Sequence, residues 1–254
     1  MGKTIAFANQ KGGVGKTTSA VNVAASLGVK GKKVLLIDVD PQGNASSGVG
    51  INKKSIKLSS YDVLIQRSSA ENAIVKTEFK NLSVIPATIS LAGAEFELVS
   101  AQERENRLKK ALEPIKDDYD YIILDCPPSL GILTINCLVA ADGVIIPMQC
   151  EYFALEGLTQ LMITVRRVKQ QYNPALTLTG ILITMFDGRL NLSTQVLDEL
   201  KKYYSDALLR SMIPRSVRLS EAPSYGEPIL YYDKYSRGSL AYQDAAKEII
   251  ARVL

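Results

Sequence analysis

The chain has 254 residues, of which 46% are hydrophobic, and a formal net charge of +4. That length and apolar content suit one substantial core, so a single large α/β domain over residues 1–254 is expected rather than two small ones. With no histidine present, a histidine general base, a Ser-His-Asp triad and any His-ligated metal are excluded, and chemistry must rest on carboxylates, lysines and a bound ion.

Residues 3–8 read as a short strand, and Thr17 to Leu27 as a helix with Ala20, Val23, Ala24 and Leu27 on its apolar face, ended by Gly28 and Gly31. Between them lies Asn9-Gln10-Lys11-Gly12-Gly13-Val14-Gly15-Lys16-Thr17-Thr18. Its glycines let the backbone curl so that successive N–H groups face inward beside a helix N-terminus, a nest for an anion. Lys16 places a full positive charge near outer phosphates, the Thr17 hydroxyl can coordinate Mg²⁺, and Thr18 can add a hydroxyl to an inner phosphate. The usual phosphate-loop pattern G-x-x-x-x-G-K-[ST] fits in part, because Gln10 stands where its first glycine belongs, and Lys11 adds a second lysine at the head of the loop. A bare strand-to-helix turn is the alternative, but Gly-Lys-Thr-Thr opening a helix has few purely structural uses.

Val34 to Ile37 is a continuous apolar run, as in a strand buried on both faces of a parallel sheet, and it delivers Asp38-Val39-Asp40-Pro41-Gln42-Gly43-Asn44 at its carboxyl end. Leu82 to Ile85 reads as a strand and residues 101–113 as an exposed helix. Tyr121 to Leu124 is another buried strand, running into Asp125-Cys126-Pro127-Pro128-Ser129. Val144 to Met148 reads as a strand, Leu155 to Gln171 as a helix, Leu178 to Met185 as a strand, residues 192–204 as a helix and 208–213 as a final strand. Residues 214–239 show neither period and read as a long functional loop. Leu240 to Leu254 carries a helical stripe at Ala245, Ala246, Ile249, Ile250 and Val253, suited to docking on the core. Strands separated by helices imply a doubly wound, mostly parallel twisted sheet flanked by helices, as in P-loop NTPases.

In such sheets ligands sit outside the carboxyl ends of the strands, so one crevice can collect the glycine-rich loop, the Asp38/Asp40 loop and the Asp125 loop. Asp125, ending an apolar strand beside a phosphate loop, looks like a Walker B carboxylate that holds Mg²⁺ through water. Asp40 is the carboxylate expected to position or deprotonate the attacking water, with Asp38 supporting the hydrated ion. For both, turn formation before Pro41 is the plainer alternative. Phosphoryl transfer asks chiefly for placement and charge neutralisation, which one carboxylate, one ion and the two lysines, Lys11 and Lys16, can supply.

K-G-G-V-G-K-T-T resembles the deviant Walker A loop of the ParA/MinD group of ATPases. D-V-D-P-Q-G-N, D-C-P-P-S-L-G, P-M-Q-C-E-Y-F-A-L-E-G and I-P-R-S-V-R-L-S-E-A-P-S-Y-G extend the likeness to its ParA or Soj branch across the chain. The resemblance implies slow, Mg²⁺-dependent ATP hydrolysis by a homodimer closed around two nucleotides, with Lys11 reaching the partner subunit's phosphates. It implies adenine against Thr184-Met185 and Pro214-Arg215, and a switch over Asp125 to Gly131. It also implies non-specific binding of double-stranded DNA through Arg189 and Arg218, and stimulation by a ParB-type centromere-binding partner.

The charge agrees with a polyanion partner: 17 of the 30 Lys+Arg and 17 of the 26 Asp+Glu lie in residues 1–159, so the whole excess sits in the last third. No apolar run approaches the roughly 18 residues needed to span a bilayer. Cys126, Cys137 and Cys150 are too widely spaced for a metal knuckle, so reduced thiols and a cytoplasmic home are expected; the ParA/Soj resemblance implies nucleoid association when ATP is bound. A MinD-like membrane-positioning ATPase is the rival, but the last helix lacks the basic face of a membrane anchor. A tyrosine kinase lacks a flexible tyrosine cluster here, an iron–sulfur carrier lacks a defensible ligand set, and no N-terminal helix-turn-helix domain is expected.

Overall fold

The uninterrupted apolar runs fold as central strands because helices cover both sides of the sheet and every position along such a strand is buried. The computed structural model describes residues 2–253. In chain order it comprises β1 (Lys3–Phe7), α1 (Lys16–Val29), β2 (Val34–Asp38), α2 (Asn44–Gly48), α3 (Ser60–Leu64), α4 (Ala70–Ala73), β3 (Val75–Lys76), β4 (Leu82–Ile85), α5 (Leu91–Glu97) and α6 (Arg107–Leu112). There follow β5 (Tyr121–Asp125), α7 (Ile132–Ala140), β6 (Gly143–Gln149), α8 (Ala154–Gln171), β7 (Thr177–Thr184), α9 (Asn191–Tyr204), α10 (Val217–Glu221), α11 (Ile229–Tyr232) and α12 (Arg237–Val253).

The strands form one sheet in the order β3-β4-β2-β5-β1-β6-β7, parallel throughout except for the short β3 against β4. Alternate side chains feed two cores. Ile5, Phe7, Leu36, Ile123 and Ile145 pack with α1 and α12, whereas Ala6, Leu35, Ile37, Ile122 and Leu124 pack with α7 and α8 and their neighbours on the opposite face. The doubly wound, mostly parallel sheet is therefore as expected. The apolar stripe of α12 docks as expected too: Ala245, Ala246 and Ile249 are fully buried against the side of the sheet that α1 covers.

Four local readings are corrected. Gly28 does not end α1; the helix runs through it to Val29, and the left-handed residue is Gly31, at φ +86°. Gly28 is instead a close-approach site, where a Cβ would stand 2.3 Å from the Lys80 carbonyl oxygen. Gly28→Ala is accordingly expected to cost about 2–3 kcal/mol by overpacking against backbone, read as a lowered Tm, although alanine is the better helix former. The helix read over 101–113 forms only from Arg107, because Glu103 takes a left-handed φ of +49°.

The segment 208–213 lies along β7 without forming a regular strand: it is joined by an isolated bridge of Ile181 with Leu208 and by the Leu209 and Ile213 N–H groups, which donate to the Ile181 and Ile183 carbonyls at 2.9 Å, and a second bridge, Phe186 with Pro214, follows just beyond. Between them Glu248 of α12 draws off the backbone N–H groups of Arg210 and Ser211, at 2.9 and 3.0 Å, and the ladder is interrupted. Residues 214–239 are not a structureless loop. They hold α10, a 3₁₀ turn over Ala222–Tyr225, α11 and the first residues of α12, pieces too short to show a helical period. The Asn22 side chain in α1 accepts the Ile229 N–H at 2.7 Å, tying this segment to the helix that follows the glycine-rich loop.

Candidate active site

Parallel strands end on one side, so the loops after β1, β2, β5, β6 and β7 share an edge of the sheet. Register decides who meets whom. Asp125 at the end of β5 lies beside Phe7 of β1 and beside Asp38 of β2, which sets the Asp125 loop between the glycine-rich loop and the Asp38/Asp40 loop.

The glycine-rich loop is held before any ligand arrives. Gly13 and Gly15 sit at φ +73° and +81°, a region that glycine enters without the Cβ penalty, and a Cβ at Gly12 or Gly13 would face open space. Val14 is buried, and its carbonyl accepts the Thr184 hydroxyl at 2.8 Å. Asn9 donates to the Pro147 carbonyl at 2.8 Å and accepts the Lys11 N–H at 3.0 Å, so β6 and β7 both brace the loop. Lys16 is buried and donates to the Lys11 carbonyl at 3.0 Å.

Two carboxylates, Asp125 and Asp40, act on this lysine, and Asp38 lies beside Asp125. Asp38, wholly buried, accepts the Ser46 N–H and hydroxyl at 2.8 and 2.7 Å and the Asp40 N–H at 3.2 Å; burial nevertheless pushes it up to about 6, against those hydrogen bonds. Asp125 is also wholly buried, yet neither of its oxygens has a hydrogen bond among the described residues. Burial pushes its carboxyl well above the usual range and Asp38 adds to the rise; the nearby Thr17 hydroxyl and Lys16 oppose it without satisfying either oxygen by a well-formed hydrogen bond. Burial in turn lowers Lys16, while Asp125, Cys126 and Asp40 act to raise it. A buried polar atom without a partner is uncommon and costly. The donor set of a hydroxyl, two carboxylates and a phosphate loop fits Mg²⁺, which keeps its waters and needs few protein ligands. Consistently, no cage of three or more acidic or thiol side chains occurs among the described residues.

The other predicted residues are placed as follows. Lys11 is half-exposed and paired with Glu151 of the same chain, in the loop after β6. Met185, at a left-handed φ of +49°, Pro214 and Arg215 line a cavity of about 320 Å³ with Gly15, Thr18 and Tyr242, so the segments assigned to a base do adjoin the phosphate loop. Arg189 is exposed and held by Asp187 at 2.9 and 2.7 Å, and Arg218 is paired with Glu221 at 3.1 Å and Asp233 at 3.5 Å. Sequence reasoning passes over Ser46 and Glu151, the residues that hold Asp38 and Lys11; no local pattern marks a serine or glutamate as the partner of a residue in another loop. The three cysteines are free and buried, and no helix among the described residues is long and apolar enough to cross a membrane.

A family profile described as an AAA domain matches residues 2–178. The chain is similar to the sporulation initiation inhibitor protein Soj of Bacillus subtilis, with 58% identity over 99% of each chain. It is similar to the chromosome partitioning protein ParA of Myxococcus xanthus, with 50% identity over 99% of this chain and 89% of that one. Among solved structures it resembles cobyrinic acid a,c-diamide synthase of Mycobacterium smegmatis with bound ADP and magnesium, at 38% identity, 97% and 93% coverage and a TM-score of 0.85.

Proposed function

The chain belongs to the ParA/Soj family of chromosome-partitioning ATPases, and from this premise we propose that residues 1–254 act as one ATPase domain that couples hydrolysis to DNA binding. The observation that carries the reading is the wholly buried, unpartnered Asp125 carboxylate beside Lys16 and the phosphate loop.

In this reading Gly12 to Thr18 cradle the phosphates through backbone N–H groups, with Lys16 at the outer ones and the Thr18 hydroxyl at the inner one. Thr17, Asp38 and Asp125 would hold Mg²⁺, directly or through its water, which would supply charge neutralisation at the phosphates. Asp40 positions the attacking water and accepts its proton; Met185, Pro214 and Arg215 take the adenine. Lys11 leaves Glu151 and reaches the phosphates of a second copy of the chain, so the homodimer closes around two nucleotides. An exposed ion pair is worth about 1 kcal/mol or less, so the exchange of partners is cheap.

Closure brings two sets of basic loop residues together, with Arg189 and Arg218 in each, and double-stranded DNA is bound without base readout. A ParB-type partner stimulates hydrolysis and release, and the ATP-bound protein associates with the nucleoid. The membrane-positioning alternative needs an apolar helix face free to enter a bilayer, whereas that of α12 is spent on the core. Liposome flotation with ATP tests it directly.

The decisive experiment is a duplex-DNA titration with ATP, with ADP and without nucleotide, at several salt concentrations. Wild-type protein is expected to bind with ATP, with an affinity that falls steeply with salt. Lys16→Ala should lose the ATP dependence, and Arg189→Ala should weaken binding by roughly tenfold. Equal affinity in all three nucleotide states would remove the basis of the coupling.

A further inference from the structure

Among the described residues, four other than glycine take a left-handed φ: Gln66, Asn81, Glu103 and Met185. The first three lie in turns, where that conformation serves to reverse the chain. Met185 directly follows β7, at φ +49°, and lines the base cavity of about 320 Å³. A long side chain gains nothing locally from such a backbone, and a strained residue that persists beside a cavity is characteristic of a ligand clamp.

We propose that Gln149 is a positioning residue for the nucleotide base: its side-chain amide holds the Met185 thioether in place against the ring, and the base adds to affinity through that contact. The inference rests on the ATPase reading above and deepens it, because Gln149 touches the base cavity only through Met185.

The first argument is the contact itself. The Gln149 amide donates to the Met185 sulfur. Gln149 ends β6 and stands in register with Thr184, the last residue of β7, so two parallel strands that stop together bring the amide to the residue after Thr184. Gln149 does not itself line the cavity, which places it behind Met185. A methionine with three rotatable bonds is otherwise free to leave the wall, and a donor on its sulfur fixes the far end of the side chain.

The second argument is the backbone on either side. The Thr184 hydroxyl is tied to the Val14 carbonyl in the phosphate loop at 2.8 Å. The Phe186 N–H donates to the Ile213 carbonyl at 2.9 Å, and Phe186 bridges Pro214. Met185 therefore joins a residue held by the phosphate loop to one held by the opposite wall, since Ile213 and Pro214 also line the cavity. Its left-handed turn is the conformation those two restraints leave to it.

The third argument is chemical. A thioether is polarizable and packs favourably at an aromatic ring, and the apolar lining of Ile213, Pro214, Leu219 and Pro223 suits the faces of a flat heterocycle. The Gln149 carbonyl accepts the Glu151 N–H at 3.0 Å, a backbone contact that any residue at this position keeps. Side-chain substitutions at Gln149 thus leave in place the turn that carries Glu151, the partner of Lys11, and their effect belongs to nucleotide binding and not to the chemical step.

The test compares Mg-ADP with Mg-pyrophosphate, which occupies a phosphate loop without a base, on wild-type protein, Gln149→Ala, Gln149→Met, Met185→Leu and the double variant Gln149→Ala/Met185→Leu. Gln149→Ala should weaken Mg-ADP by about two- to tenfold, the range of a sulfur–aromatic contact, and leave Mg-pyrophosphate unchanged. In turnover assays the same factor should appear in KM for ATP and not in kcat. Gln149→Met, which matches the side chain in length and has no donor, should lose as much as Gln149→Ala. Met185→Leu should weaken Mg-ADP by a similar factor, and adding Gln149→Ala to it should cost nothing more, because no sulfur is left to hold. Retained Mg-pyrophosphate binding shows that a variant is folded; if Gln149→Ala is not, Gln149→Met decides. Wild-type Mg-ADP affinity in either Gln149 variant, equal losses for Mg-ADP and Mg-pyrophosphate, or additive losses in the double variant would each overturn the assignment while the ATPase reading stands. If wild-type protein binds neither Mg-ADP nor Mg-ATP, both fall.

Discussion

Asp40→Ala is expected to lower ATP turnover by about 10²- to 10⁴-fold, the range of a lost general base, while Mg-ATP binding survives and the ATP-bound dimer accumulates. The argument is one of position. Asp40 is almost wholly buried at the mouth of the phosphate loop and close enough to Lys16 to act on its charge. Its Oδ1 accepts the Gln42 N–H at 2.9 Å, its carbonyl accepts the Gly43 N–H at 2.8 Å, and its own N–H is donated to Asp38. These contacts aim the carboxylate and leave Oδ2 for a water. Because the loop is braced through Asn9, Thr184 and Val14, none of which hydrogen-bonds to Asp40, removing this side chain should not undo nucleotide binding. Single-turnover hydrolysis and size-exclusion chromatography with ATP check the two halves. Loss of ATP binding together with turnover would assign Asp40 to the architecture of the loop and not to the reaction.

The second large effect concerns stability in the absence of metal. Asp125→Asn is expected to raise the Tm of the nucleotide-free protein in chelator at neutral pH and to abolish most of the further rise that Mg-ATP gives the wild type. Removing a buried carboxyl whose oxygens have no hydrogen bond relieves a desolvation penalty, whereas most substitutions at a buried polar site destabilise. The ligand half follows from mass action: saturation at about a hundred times Kd stabilises the wild type by about 2.7 kcal/mol.

Asp38 sets a pH dependence of unusual sign in the same metal-free protein. Its carboxyl binds a proton more tightly in the folded chain, at about 6, than the ordinary 3.8, so the folded state holds more protons between those values. Stability from this group is fully present below about 3.8 and is lost as pH rises through about 6, on the order of 2–3 kcal/mol in all. Asp187, held down to about 2 by Arg189, works the other way, but its contribution is lost only below the ordinary carboxylate range. Denaturant midpoints across pH 4 to 7 in chelator check this, and a midpoint that climbs through that window would count against a raised Asp38 in a buried pair of acids.

Much of this was legible in local pattern. The apolar runs of β2 and β5 announce strands covered on both faces, and Gly12-Gly13-Val14-Gly15-Lys16-Thr17 announces a phosphate nest at a helix start, because period and turn chemistry act over a few residues. Where local signals compete with distant partners the reading fails. The ladder expected at 208–213 is interrupted by Glu248, which lies on α12, and the short helices of 214–239 stand because α1 and α2 pack against them, not because of any period of their own.

The chain's own residues thus determined the fold class, the phosphate loop and the set of acids and lysines available for chemistry, since each is written in adjacent positions. Only the tertiary structure decided that Asp38 and Asp125 stand side by side, that neither Asp125 oxygen has a hydrogen bond among the described residues, and that Gln149 meets Met185 behind the base cavity. Strand register and the packing of α12 bring together residues far apart in the chain, and burial then sets the charge each carries; neither is encoded within any short window of sequence.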